Sequence, residues 1–483
     1  MTLALTLARS FRGFLSFLGA IVVPAVLAAP AAGPLRQHPT NPRYFTDGTA
    51  KPDGSATAVF LTGSHTWNNL VDLWDANGPR MAFDFEAYLR FLERHGHNFI
   101  RLWAWDSTTW DTRANAELGK KFVHHAAPHP WARTGPGLAL DGKPKFDLAK
   151  FNAEYFERLR SRVKMAGDRG IYVSVLLFEG SGLFHSIRGH FAPWRTHPFH
   201  PANNINGIDP SKGSDGITGD VHNLTHANVN ARQAAYIRKV VETVNDLDNV
   251  LYEVINEGGE KEWDWWVATT IRDAERTRPR QHLIGITGHG AERLDSMLAS
   301  PADWISPGSR DGFGNDPPAW DGRKVSILDT DHIWGVGGNA AWVWKSFLRG
   351  HHPIFMDCYD GSVLAAPAQE RRWESIRRAM GSARRVAERI NLAMMEPHSE
   401  LASTEYCLAV PGREYLVYQP RPGEHFTVEL PAGTFECEWF NPQDGAFEKT
   451  PAVTVRAGKR LFRANFDGVA VLHLKLAANR RAE

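Results

Sequence analysis

Eight short apolar runs alternate with segments of helical periodicity across residues 57–395, and this alternation restricts the fold more than any other feature of the chain. The runs are Ala58–Thr62, then NFIRLWAW, IYVSVLLF, NVLYEVIN, HLIGIT, ADWIS, KVSIL and PIFMD. Between them, Phe85, Leu89 and Leu92 recur at the spacing of one helix face, as do Phe151, Tyr155, Leu159 and Val163, and Ile237, Val240, Val241 and Val244. A last helix is expected roughly from Glu370 to Met394, through Trp373, Ile376, Met380 and Ile390. Strands separated by helices pair in parallel. Eight such units over this length predict a closed (β/α)8 barrel of the α/β class, a TIM barrel, rather than an open doubly wound sheet. No GxGxxG follows an early strand, so dinucleotide binding has no support.

The flanks have a different texture. Arg9 and Arg12 precede an apolar run, roughly Phe14 to Leu27, that ends in Val26-Leu27-Ala28. This is the pattern of an export signal cleaved after Ala28, and the run is short for a membrane span. Residues 1–28 are therefore expected to be a signal peptide and the protein to be exported, periplasmic or extracellular, with no membrane attachment after cleavage. Residues 29–56 carry an Asp47-Gly48 turn that predicts a hairpin. Residues 57–396 make up the barrel. Residues 397–483 hold short β-rich runs broken by Pro-Gly, Ala-Gly and Asp-Gly, which predict an antiparallel β-sandwich.

A chain of 483 residues with 43% hydrophobic and 23% charged residues is of globular composition, and its net charge of +1 gives no footing to nucleic-acid binding. Oligomeric state is not legible. Of three cysteines, Cys407 and Cys437 could pair in an oxidising compartment, leaving Cys358 a buried thiol. The absence of CxxC argues against a cysteine zinc site, and no cofactor is implied.

In a parallel barrel the functional groups gather at the carboxyl ends of the strands. Those ends offer His65 and Trp67; Arg101, Trp103, Trp105 and Asp106; Glu179; Asn256 and Glu257; His289; Asp329, Asp331, His332 and Trp334; and Asp357 and Tyr359. Long insertions at 107–146 and 179–227 follow the second and third strands, and the latter carries His190, His197, His200, Asn203, Asn204 and Asn206. Amide- and His-rich loops beside tryptophans suit sugar hydroxyls, although plain loop packing and metal binding are also open to them. Asn256-Glu257 closing the fourth strand could equally cap the next helix, and Asp329 could be a buried acceptor for Arg101. Alternation along the seventh strand would put Asp329 and Asp331 on one face.

Asn256-Glu257 resembles the acid/base signature of the retaining (β/α)8 glycoside hydrolases, the clan of cellulases and mannanases. That resemblance implies that Asn256 holds a sugar 2-hydroxyl, that Glu257 is the acid/base, and that Arg101 stands beside the nucleophile. Two departures stand out: Gly258 replaces the usual proline, and the seventh strand offers ILDTD where the clan has Glu. A closer similarity is to bacterial apiosidase-like hydrolases, whose barrel is joined to a C-terminal sandwich labelled collagen-binding. WFNPQDG, Trp439 to Gly445, matches the pattern of that sandwich. Overlay of their strand 7 on ILDTD puts the catalytic carboxylate on Asp331, ahead of Asp329.

Carboxylates at the tips of strands 4 and 7 can stand roughly 5–5.5 Å apart, the separation for retaining glycoside hydrolysis. The expectation is a secreted hydrolase of O-glycosidic bonds in a polysaccharide or oligosaccharide, with Glu257 as acid/base and Asp331 or Asp329 as nucleophile. His65, Trp67, Trp103, Trp105, Asp106, Glu179, His200, Asn204, His289, His332 and Trp334 are expected to contact sugar alongside Asn256 and Arg101. Two rivals remain: a metal-assisted hydrolase or lyase built on Asp329, Asp331, His332 and the loop histidines, and a non-catalytic carbohydrate-binding protein.

Overall fold

The computed structural model describes residues 29–112, 123–181, 183, 193–211, 221–288, 294–308, 312–363 and 367–478, with the side chains of 367–372 left aside. The expected signal segment lies outside these residues. Among them, no helix is long and apolar enough to cross a membrane.

Eight parallel strands form the barrel: β1 (Gly63–His65), β2 (Phe99–Leu102), β3 (Tyr172–Glu179), β4 (Val250–Asn256), β5 (Ile284–Thr287), β6 (Trp304–Ser306), β7 (Val325–Asp329) and β8 (His352–Met356). Each pairs with its sequence neighbour from β2 round to β8, and β8 pairs with β1. At the remaining seam, the Asn98 amide donates to the Thr62 carbonyl at 3.0 Å. Gly63 is required there, because a Cβ would stand 2.2 Å from the Phe99 carbonyl oxygen.

The first barrel strand is not the apolar run Ala58–Thr62 but the polar Gly63–His65 that follows it. Val59 instead bridges Phe45 in the N-terminal segment. The polar strand tolerates burial because the barrel supplies partners: Ser64 Oγ lies 3.3 Å from His97 Nδ1, and the Tyr88 hydroxyl donates to the Ser64 carbonyl at 2.6 Å.

Outside the strands lie α1 (Phe85–Arg94), α2 (Ala153–Gly167), α3 (Ala227–Val244), α4 (Lys261–Glu275), α5 (Leu294–Ala299), α6 (Thr330–Trp334), α7 (Ala340–Leu348) and α8 (Pro367–Ala387). The apolar stripes face inward as their spacing requires: Phe85, Tyr88, Leu89 and Leu92 on α1; Tyr155, Leu159 and Val163 on α2. Asp84 and Asn152 cap those helices, accepting from the amides of Ala87 and Glu154. The last barrel helix stops at Ala387, and Leu392–Met394 forms a separate 3₁₀ turn rather than continuing it. The insertion after β2 is not plain loop. Thr109–Asp111 and Asp72–Asp75 flank Val123–Ala127 in a small sheet, and Trp131–Leu138 pairs with Pro144–Phe151.

The C-terminal region is antiparallel. One sheet runs in the order Glu396–Pro397, β9 (Cys407–Val410), β10 (Glu414–Gln419), β15 (Ala470–Leu476), β12 (Gly433–Phe440), β13 (Phe447–Val455), and β11 (Phe426–Leu430) pairs with β14 (Gly458–Phe462). Val417, Val428, Phe435, Trp439 and Leu472 fill its core. The sandwich packs on α7, where the Trp344 ring stacks on Tyr418 at 6.0 Å and meets Phe440 at 5.5 Å. Cys407 and Cys437, which could have paired, do not: all three cysteines are free and buried. Cys407 lies on β9 and Cys437 on β12, with two strands between them, a separation of about 14 Å at the usual strand spacing.

Candidate active site

Arg101 organises the barrel mouth. It projects from β2 with a side chain only 1% exposed, and a buried guanidinium needs partners for its donors. Its Nε and Nη2 fork onto the Glu253 carboxylate, with Nε to Oε2 at 2.9 Å. Nη1 donates to Asp329 Oδ2 at 2.8 Å, and Nη2 also donates to Asn256 Oδ1 at 2.9 Å. Burial opposes the charge, but Glu253 and Asp329 more than offset it and hold the guanidinium firmly protonated. Glu253 also accepts from Ser174 Oγ at 3.1 Å. Sequence reasoning missed Glu253. A carboxylate in the middle of the otherwise apolar VLYEVIN, two strands from a buried arginine, was the available signal.

The seventh strand does not alternate through Asp331. It ends at Asp329, and the chain turns into the one-turn helix α6. Asp329 caps that turn, its Oδ1 accepting from the Asp331 amide at 2.9 Å. Its carboxylate also meets His65 Nε2 at 2.9 Å. Burial alone would raise the Asp329 pKa; the charges of His65 and Arg101 and the hydrogen bond from His65 outweigh it and hold the carboxyl well below the usual range. Asp331 is differently placed. Its Oδ2 is buried without a hydrogen bond, 3.7 Å from Arg101 Nη1 and 3.9 Å from His332 Nε2. Burial, then the Glu257 carboxylate, then that of Asp329 push its pKa well up.

Glu257 follows β4 with φ +47°, a left-handed conformation that is uncommon for a non-glycine residue and collects at functional sites. The Gly180 amide donates to the Asn256 carbonyl at 2.8 Å. A Cβ on Gly258 would stand 2.9 Å from Gly180 Cα, and one on Gly180 would stand 2.5 Å from the Glu257 carbonyl oxygen. The backbones after β3 and β4 thus touch, which accounts for glycine where the resembling hydrolases carry proline. Asn256-Glu257 does not cap the following helix: the N-cap of α4 is Glu260. Asn256 Oδ1 instead receives Arg101 Nη2 and faces His332 Nε2 at 3.1 Å, and His332 Nδ1 lies 3.0 Å from Ser306 Oγ.

The other expected contact residues divide. Glu179, at the end of β3, is near enough for its charge to raise Asp331 further, and it accepts from Ser181 Oγ. Trp334, on the same turn as Asp331, is half-buried, its ring in an edge-to-face contact with Trp342 and beside Gly338. Several others are structural. His65 lies wholly buried beneath Asp329, stacked on Trp103. Trp67, Trp103 and Trp105 are buried and pack among themselves and Trp110, with Trp105 Nε1 donating to the Trp67 carbonyl at 2.8 Å.

Asp106 accepts from the Glu179 amide at 3.1 Å and meets His222 Nε2 at 2.8 Å. Burial is outweighed there by the imidazole of His197, 4.0 Å away, and by the hydrogen bond with His222, which together keep the Asp106 carboxyl well below the usual range. It ties the insertions together, and His222 was not singled out from sequence because it has no strand-end position. Asn204 spends its amide within its own loop, donating to the carbonyls of His200 and Ile208 and accepting from the amides of Asn206 and Ile208. His200 accepts from the Ala202 amide and packs on Trp194. The polar atoms of Asn204 are thus spent on its own loop's backbone, as is Nδ1 of His200. Asp357 is likewise buried, held by Arg377 Nε at 2.8 Å. His289 and His190 lie outside the described residues. Among those described, no group of three His, Cys, Asp or Glu side chains could hold a metal ion.

A family model described as a domain of unknown function, DUF6298, matches residues 113–303, less than half of the chain. No curated protein matches. Among solved structures, one described as a glycoside hydrolase is 14% identical, with a TM-score of 0.56 over 92% of this chain and 97% of that one. Another, a glycoside hydrolase family 5 protein from Bacteroides vulgatus ATCC 8482, is 12% identical, with a TM-score of 0.56 over 94% and 97%. At such identities the likeness is one of architecture, and it runs through barrel and sandwich alike. The chain has the fold of these glycoside hydrolases: a (β/α)8 barrel carrying a C-terminal β-rich domain.

Proposed function

We propose that the protein is a glycoside hydrolase that cleaves O-glycosidic bonds of a polysaccharide or oligosaccharide with retention, using Glu257 as acid/base and Asp331 as nucleophile. The observation that carries this reading is that Glu257, just after β4, and Asp331, on the turn that follows β7, stand near enough for the charge of Glu257 to oppose the ionisation of Asp331. Likeness in fold to structures described as glycoside hydrolases supports it by analogy.

Neighbouring carboxyls each disfavour the other's ionisation, so one proton is readily kept between them. In the productive form the proton is on Glu257, and Arg101, 3.7 Å from Asp331, favours the anion there. Asp331 attacks the anomeric carbon while Glu257 protonates the departing oxygen, leaving a glycosyl ester. Glu257, now a carboxylate, takes a proton from water as that water attacks the anomeric carbon and frees Asp331. Asn256, its Oδ1 already occupied by Arg101 and His332, has only Nδ2 to offer a sugar hydroxyl.

The raised proton affinity of Asp331 favours a second reading with the roles exchanged, Asp331 as acid and Glu257 as nucleophile. Azide separates the two. With Glu257→Ala, a glycosyl azide of retained configuration assigns Glu257 as acid/base, and one of inverted configuration assigns it as nucleophile. The activity itself is tested on a panel of 4-nitrophenyl glycosides and plant and microbial polysaccharides, with product stereochemistry read by NMR. Glu257→Gln should slow poor leaving groups by roughly 10²–10⁴-fold while leaving the fold intact. Near-normal hydrolysis by that variant removes Glu257 from the mechanism. The proposal includes export after cleavage at Ala28, which N-terminal sequencing of the secreted protein would place at Ala29.

A further inference from the structure

We propose that Asp329 is a positioning residue: its buried carboxylate, clamped by His65 and Arg101, holds the Asp331 amide and supplies the fixed negative charge beside which Asp331 must ionise. This rests on the reading of Asp331 as nucleophile and goes beyond it, because it assigns to the neighbouring aspartate and to His65 the control of when that nucleophile is available.

The geometry separates the two aspartates by what their oxygens already do. Asp329 has a side chain 0% exposed, and both its oxygens are spent. Oδ1 accepts from His65 Nε2 at 3.0 Å and from the Asp331 amide at 2.9 Å, and Oδ2 accepts from Arg101 Nη1 at 2.8 Å. Attack on a sugar by either oxygen would break a charge-assisted bond of a buried carboxylate. Asp331 is the reverse, with Oδ2 held by no hydrogen bond. Its backbone is fixed through the cap that Asp329 provides, so a displacement of the Asp329 carboxylate passes to Asp331 through one hydrogen bond and one peptide unit.

The charges around Asp331 come from four strands and its own turn. Glu257 at the end of β4, Asp329 on β7 and Glu179 on β3 oppose its ionisation; Arg101 on β2 favours it, and His332 stands 3.9 Å away on α6. Asp329 in turn faces His65 on β1, Arg101 and His332. His65 therefore acts at second hand: when protonated, it answers the Asp329 charge and weakens the repulsion that Asp331 feels. Like charges at such range move a carboxyl by about 1 pH unit or more.

Two variants read this directly, by the acid limb of kcat/KM against pH on the 4-nitrophenyl glycoside that the wild type cleaves best. Asp329→Asn keeps one acceptor, which can still serve the Asp331 amide, gives up the acceptor for Arg101 and removes the charge; the acid limb should move down by about 1 unit. His65→Gln keeps a donor to Asp329 but removes the imidazole that can carry a proton beside it; the limb should move up. Opposite shifts are a signature that damage to packing does not produce. If both variants lose activity by the same factor at every pH, with the limb unmoved, the proposal is overturned. Should Asp329→Asn fail to fold, an upward shift in His65→Gln supports it and an unmoved limb overturns it. A wild type that hydrolyses no glycoside or polysaccharide of the panel sinks the glycosidase reading itself and this inference with it, an outcome distinct from an active wild type whose variants keep the original limb.

Discussion

Replacing Arg101 with methionine tests whether the barrel mouth depends on one cation. The side chain is 1% exposed and bridges Glu253, Asp329 and Asn256 through four hydrogen bonds, three of them to carboxylates. Methionine fills comparable volume, so the loss is electrostatic rather than steric. Charge-assisted bonds are worth about 1.5–3 kcal/mol each, but relaxation and shared partners prevent simple addition. Breaking a buried ion pair by removing one partner costs about 3–5 kcal/mol. About 4 kcal/mol is therefore expected for Arg101→Met, close to a thousandfold in the folding equilibrium. Arg101→Lys keeps the charge but loses the planar fork, and about 2 kcal/mol is expected. The assay is urea unfolding followed by tryptophan fluorescence on the barrel transition, with Glu253→Gln and the double variant closing a cycle. If the first loss comes mainly from Glu253 left unpaired, the double variant should recover 1 kcal/mol or more of it, an order-of-magnitude figure. An Arg101→Met cost below about 1 kcal/mol, or a double variant that merely sums the singles, would refute the reasoning.

Further outcomes follow from geometry and charge. Gly258→Ala should cost about 1–3 kcal/mol in urea unfolding and lower turnover, because its Cβ would meet the Gly180 backbone at 2.9 Å and displace Glu257; unaltered stability and rate would show that the contact yields freely. His97, His129 and His351 are buried, and burial lowers their pKa to about 3, as it lowers that of His352 to about 4. A lowered folded pKa means that the folded state binds fewer protons than the unfolded state below pH 6.5. The stability these rings contribute is whole above pH 6.5 and is lost as the pH falls towards 3, on the order of 4 kcal/mol per ring. Melting temperature should accordingly be flat near neutrality and fall steeply below pH 6, and a flat profile down to pH 4 would count against neutral burial of these rings.

The barrel was legible because its signal is repeated: eight apolar runs at regular intervals with helix-spaced residues between them leave few architectures open. The first strand was misplaced by its composition. Gly63–His65 is polar, and only tertiary partners such as His97 and Tyr88 make it an interior strand. Strand-end reasoning brought Arg101, Asn256, Glu257, Asp329, Asp331 and His332 into one cluster, because the carboxyl ends of parallel strands converge on the mouth. It could not tell a residue at the mouth from one below it. His65 and Trp103 sit beneath the aspartates because one residue along a short strand decides the level at which a side chain enters the barrel. Loop residues such as Asn204 were misread for a related reason, since composition shows that amides are present but not that the loop's own backbone consumes them.

Helix α7 carries Trp342, Val343, Trp344, Phe347 and Leu348, all buried, so little of its circumference is left for solvent. A barrel helix ordinarily turns a polar face outward. Here the outward face is roofed by Tyr418 and Phe440 of the sandwich. The domain boundary near Pro397 is consequently a boundary of topology and not of independence. The segment that descends from β7, and with it the turn bearing Asp331, leans on residues encoded after the barrel has been completed. A chimaera that grafts another β-module onto this barrel would have to supply two aromatic rings at those positions before it could inherit the mouth.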